Sequence, residues 1–130
     1  MSTVNKFAFP TDERSTLGTG LSGVRDRLAG MANSSVAGYF GGGAVVTATI
    51  NKFAFPSDSR STLGTGLSAA TNYFAGMADS GIAGYFGGGT TPSNVATVNK
   101  FAFPSDSRTT LGTGLSAARS DLAAMADEAL

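Results

Sequence analysis

The chain has 130 residues, nine Lys or Arg against nine Asp or Glu, and neither Cys nor His. That length suits one compact domain, and the balanced charge excludes the basic footprint expected of a nucleic-acid binder. Without Cys or His the chain lacks a disulfide framework, a thiolate metal site, the commonest general base and a Ser–His–Asp triad.

Eighteen glycines with 42% apolar residues suit short strands joined by tight turns, not disorder. No apolar run approaches the roughly 18 residues of a membrane helix. The opening MSTVNKFAFP shows no signal-peptide pattern, and no membrane partner is expected.

From the N-terminus, VNKFAF at 4–9 alternates with period two, which predicts a strand. Asn5, Phe7 and Phe9 share one face, and Val4, Lys6 and Ala8 share the other. Pro10 ends the strand and Thr-Asp supplies turn chemistry. STLGTGL at 15–21 predicts a second strand, with Leu17, Thr19 and Leu21 on one side. Its glycines predict close approach by another backbone or an aromatic ring. RLAGMAN at 27–33 is compatible with strand or helix. VAGYFGGG at 36–43 follows a tight turn and predicts a fourth strand.

This series then recurs. NKFAFPSDSR stands at 51–60 and again at 99–108, so Phe7, Phe53 and Phe101 correspond at spacings of 46 and 48 residues. STLGTGLS, AGMA and AGYFGGG recur in the same order, and the third unit breaks off after DLAAMADEAL. The chain therefore reads as a single repeat domain with units at about 4–43, 50–89 and 98–130. Eleven strand candidates amount to three four-stranded units less one strand. The last fifteen residues, SAARSDLAAMADEAL, carry helix formers and a Ser at an N-cap position, so a C-terminal helix competes there with a strand. Four short strands per period in the forties predict an all-β chain of about three propeller-like blades.

The stretch 67–119, with its MADSGIAGYFGGG turn and glycine pair, TVNKFAF strand and RTTLGTGLSAAR close, resembles the Kelch repeat. That resemblance implies a propeller with Arg25 and Arg119 at the closing position, where the middle unit has Thr71; the chain contains no Trp. The phrasing NKFAFPSD, LGTGLS, AGMA and GYFGGG is also similar to repeats in structural proteins of bacteriophages that infect cyanobacteria and other aquatic bacteria. That similarity implies a virion component.

Three units fall short of the roughly four to eight blades of a closed propeller, and open sheet edges seek partners. The expectation is a homo-oligomer, or docking on other structural proteins of the same assembly by strand addition. The core and assembly candidates are Phe7, Phe9, Phe53, Phe55, Phe101, Phe103, Tyr39, Phe40, Tyr85 and Phe86. Of each Tyr-Phe pair, alternation sends one ring to the core and leaves the other for the opposite face.

Asp12, Asp58 and Asp106 recur two residues before Arg14, Arg60 and Arg108. One Asp per unit falls short of the six or more oxygens of a Ca²⁺ site, so each predicts a turn cap and a local Asp–Arg pair. Lys6, Lys52 and Lys100 read as a solvated strand face; the alternative is a ligand-facing row in a lectin-like module that binds glycans. GYFGGG and LGTGLS lack the Gly-Lys-Ser/Thr of a phosphate loop. No catalytic, cofactor-binding or metal residue is expected, and the chain reads as a non-enzymatic structural protein.

Overall fold

The computed structural model describes residues 1–126 and is all-β. Its ten strands are β1 (Asn5–Ala8), β2 (Glu13–Thr16), β3 (Ala29–Asn33), β4 (Ala37–Gly41), β5 (Ile50–Ala54), β6 (Ser59–Thr62), β7 (Ala75–Asp79), β8 (Ala83–Gly87), β9 (Val98–Ala102) and β10 (Ser107–Thr110). They form a β1–β2 hairpin and two antiparallel four-stranded sheets, β3-β4-β5-β6 and β7-β8-β9-β10, none of them closed. Each four-stranded sheet takes its first two strands from the end of one sequence unit and its last two from the start of the next.

The strand predicted at STLGTGL lies earlier. In each copy the ladder runs through ERST, SRST or SRTT, and the LGTGL segment leaves the sheet after its first leucine, whose amide donates to the carbonyl of Val4, Ile50 or Val98. The Asp turn explains this displacement. Asp12, Asp58 and Asp106 all adopt left-handed φ near +55°, a region Asp tolerates better than most residues. Their amides donate to Ala8, Ala54 and Ala102 carbonyls at 2.7, 2.7 and 2.8 Å, so pairing begins immediately after the turn. The close backbone approach expected at these glycines occurs at the second of each pair, Gly20, Gly66 and Gly114, where a Cβ would strike the carbonyls of Ser2, Ala48 and Ala96, and not at Gly18, Gly64 and Gly112, which have open space around the Cβ position. The leucine that follows each glycine donates its amide to that same carbonyl.

RLAGMAN resolves as strand, because AGMAN pairs along its whole length with AGYFG: Ala29 faces Gly41 and Met31 faces Tyr39. No helix forms across 116–126 and no strand forms across 121–126; the remainder of the expected C-terminal helix lies outside the described residues. Ten strands therefore stand among the described residues, against eleven expected.

The two four-stranded sheets stack through β3 against β7 and β8. Gly76 permits this approach, because a Cβ there would lie 2.5 Å from the Gly30 carbonyl and 2.8 Å from the Phe86 ring. The core between the sheets joins Met31, Tyr39, Ile50, Phe74, Phe86, Phe101 and Phe103. Among the described residues no helix is long and apolar enough to cross a membrane.

Candidate functional site

The recurring phrase NKFAFPSD places a lysine on the sheet face opposite its phenylalanines, and both faces are used in joining one sheet to the next. Tyr39 on β4 lies directly across from Lys52 on β5. Both reach the turn of the following sheet. Tyr39 Oη donates to Asp106 Oδ1 at 2.9 Å, and Lys52 Nζ donates to Asp106 Oδ2 at 2.6 Å. The Tyr39 ring stacks on Phe103 with centroids 5.5 Å apart, and the Lys52 ammonium sits 5.4 Å from the Tyr39 ring centre. One aspartate thus accepts from two side chains of the neighbouring sheet, beside an aromatic stack.

This corrects two expectations. The aspartates do not pair with the arginines two residues on. Arg60 and Arg108 instead donate to the Gly20 and Gly66 carbonyls, each at 3.0 Å, and Arg14 donates to Asn5 Oδ1 at 3.3 Å. Nor are the lysines a uniformly free, solvated row: two of the three are tied to a neighbouring sheet. Lys6 donates to Asp58 Oδ2 at 2.7 Å, as Lys52 does to Asp106. Lys100 lies 5.9 Å from the ring centre of Tyr85 and has no carboxylate partner among the described residues. At the opposite end of the array, the Asp12 side chain has no cationic partner among them either.

Burial raises the Tyr39 hydroxyl above its ordinary pKa, and its bond to Asp106 adds to the effect. The Asp106 bond raises Lys52 as well, against the opposing pull of burial. Both groups thus hold their protons more tightly when folded, the reverse of what a nucleophilic amine or phenolate needs. Chemically the node is a clamp between sheets. The sign for stability follows. Both groups keep their protons longer in the folded chain than in the unfolded one, so this stabilisation is complete below about pH 10 and is lost as pH rises through the folded values. The urea midpoint is therefore expected to fall between pH 9 and about 11, and Tyr39→Phe is expected to shrink that fall. An unchanged midpoint would contradict the clamp.

The aromatic positions separate by copy. Phe53 and Phe101 are 3% and 0% exposed, whereas Phe7 of the hairpin is 54% exposed; Phe103 is 8%, Phe55 40% and Phe9 88% exposed. The shared packing role expected for every copy therefore fails for the hairpin and partly for Phe55. The Tyr-Phe pairs divide as alternation requires, but oppositely. Tyr39 is buried and Phe40 half-buried, while Phe86 is buried and Tyr85 half-buried. Phe40 meets Phe53 edge-on at 5.9 Å, and Phe86 meets Phe101 at 6.1 Å.

A second recurring node was missed in the sequence. Asn51 is fully buried; its Oδ1 accepts from the Ser22 amide at 2.9 Å, and its Nδ2 donates to Thr62 Oγ1 at 3.0 Å. Asn99 repeats this with Ser68 at 2.8 Å and Thr110 at 3.1 Å. The bonds satisfy a buried amide that would otherwise be costly, and they tie the first two LGTGLS segments to the NKFAF strands that follow them. The invariance of Asn and Ser across the three internal copies was the available signal.

Of the positions implied by the Kelch resemblance, Arg25 is buried, and its guanidinium reaches Thr49 O at 3.0 Å and Ser22 Oγ at 2.8 Å. Burial, and then the charge of Arg60, lower its pKa. Thr71 is buried and turns its hydroxyl to Ala69 O at 2.9 Å. Arg119 is exposed.

No protein-family model matches this chain, and no curated protein matches it.

Proposed function

We propose that the chain is a non-enzymatic assembly module built from Kelch-like, propeller-type blades, which joins copies of itself by extending its own sheet-to-sheet contact. The phage-repeat resemblance of its phrases supports a place in a bacteriophage virion. One observation carries the reading: the two end faces of the array are complementary halves of the contact already made inside it. The β1–β2 hairpin presents Phe7, Phe9 and Asp12, the counterparts of Phe101, Phe103 and Asp106. The β7-β8-β9-β10 sheet presents Tyr85 and Lys100, the counterparts of Tyr39 and Lys52. Head-to-tail association would pair Lys100 of one copy with Asp12 of the next and cover the exposed phenylalanines. Such a heterologous contact builds rings or filaments, depending on whether its rotation closes.

One observation favours this reading over the lectin-like alternative. Two of the three lysines proposed to face a ligand are bonded to aspartates.

Light scattering across a dilution series is expected to give masses above the monomer. Asp12→Lys or Lys100→Asp is expected to weaken association several-fold, on the scale of about 0.2–1 kcal/mol for an exposed pair plus like-charge repulsion. Combining the two is expected to restore it. A monomer at every concentration would defeat the proposal.

A further inference from the structure

The internal repeats show what lies on one edge of each NKFAF strand. On β5 it is β4 and on β9 it is β8, both reading AGYFG, in the same antiparallel register. Tyr lies opposite Lys, Gly opposite the first Phe, and Phe opposite Asn. The matching edge of β1 pairs with no strand among the described residues. In its place is an open apolar cleft of about 560 Å³, lined by Val4, Phe7, Phe40, Phe53, Phe55 and Asp58 among others.

Three features of this cleft differ from its occupied counterpart. Phe103 carries the stacked Tyr39 ring and is 8% exposed, whereas Phe55 has no stacked ring and is 40% exposed. Asp106 uses both carboxylate oxygens, one for Lys52 and one for Tyr39. Asp58 binds Lys6 through Oδ2, and its Oδ1 has no partner among the described residues. Finally, Phe55 and Phe103 overlie Gly38 and Gly84, where a Cβ would stand 3.5 and 3.2 Å from the ring tips. Their counterpart Phe9 overlies an empty edge.

We propose that the β1 edge and this cleft bind an extended Ala-Gly-Tyr-Phe-Gly segment of another repeat-bearing chain. The segment adds antiparallel to β1 as a third strand of the hairpin sheet. Its Tyr lies opposite Lys6, places its ring on Phe55 and donates its hydroxyl to Asp58 Oδ1. Its first Gly lies opposite Phe7, beneath the Phe9 ring, as Gly38 lies beneath Phe55 and Gly84 beneath Phe103. Main-chain bonds supply the attraction, and the Tyr and Gly positions supply selectivity. The inference rests on the blade-completion reading above, because it names the strand that completes the hairpin sheet.

A synthetic peptide with the sequence of residues 34–42, SSVAGYFGG, tests this on the intact chain. Titration followed by amide NMR is expected to saturate, with shifts at Val4–Ala8, Phe55 and Asp58. Replacing the peptide's Tyr by Phe removes one hydrogen bond to a carboxylate and is expected to weaken binding about tenfold or more. Replacing the Gly before that Tyr by Val, whose methyls would press on the overlying ring, is expected to weaken it, and a scrambled peptide is expected not to bind. Phe55→Ala in the protein is expected to weaken binding of the parent peptide while sparing the fold, since Phe55 is already 40% exposed. No saturation by about 1 mM peptide, equal binding of the scrambled peptide, or indifference to Tyr→Phe would each overturn the inference. Peptide binding by a strictly monomeric chain would uphold the strand site and remove head-to-tail association. Association without peptide binding would do the reverse.

Discussion

Phe101→Ala is expected to destabilise the chain by about 3–5 kcal/mol, the range for deleting a buried phenylalanine ring. Phe101 is fully buried, and its ring meets Phe86 edge-on at 6.1 Å. The cavity would open in the core between the two four-stranded sheets, where Met31 and Tyr39 of one meet Phe86 and Phe103 of the other. Phe7→Ala removes the same side chain from the same phrase, but from a ring already 54% exposed. It is expected to cost less than about 1 kcal/mol in the isolated chain and to weaken association instead. Urea denaturation of both variants, with masses measured in parallel, checks the pair. Equal stability losses would mean that the hairpin packs as the sheets do.

Gly42→Ala is expected to cost about 2–5 kcal/mol, from two independent sources. Gly42 has φ +58°, where an L side chain adds about 1–2 kcal/mol of strain. A Cβ there would also strike the Thr71 carbonyl and stand 2.6 Å from the Phe74 ring, an overpacking cost of about 1–3 kcal/mol. The site is a junction between the sheets: the Gly42 amide donates to Thr49 O at 3.1 Å, and the Gly43 amide donates to Thr71 O at 2.9 Å. Gly64→Ala serves as the control. It has open space around its Cβ position and no positive φ, so it is expected to be neutral or slightly stabilising. A thermal melt that moved equally for both would refute the steric account.

Much of this architecture was legible in the chain. Period-two alternation gave NKFAF and AGYFG as strands, and it placed Asn, Phe and Phe on one face with Lys on the other, as in β5 and β9. The Asp turn was legible because left-handed φ and turn chemistry are local properties. LGTGL was misplaced because its alternation resembles a strand, while the register is fixed by the turn that precedes it. RLAGMAN stayed ambiguous because small residues carry little periodic signal; pairing with AGYFG decides it. The Asp partners were misjudged because neighbours in sequence compete with partners brought close by sheet stacking. Lys6 and Asp58 are 52 residues apart in the chain, and their charged atoms lie 2.7 Å apart.

The clearest division lies between two identical decapeptides. NKFAFPSDSR occurs at 51–60 and at 99–108, and by itself it determined the same strand, the same turn and the same inward Asn and Phe in both places. It could not determine that Phe103 is 8% exposed and Phe55 40%, or that Asp106 binds a Tyr and a Lys while Asp58 binds a Lys alone. Local dihedral preferences and alternation act within one strand and are equal wherever the phrase is written. Burial and charge pairing depend on which sheet lies across the gap, and in one copy an AGYFG strand lies there while in the other the edge is open.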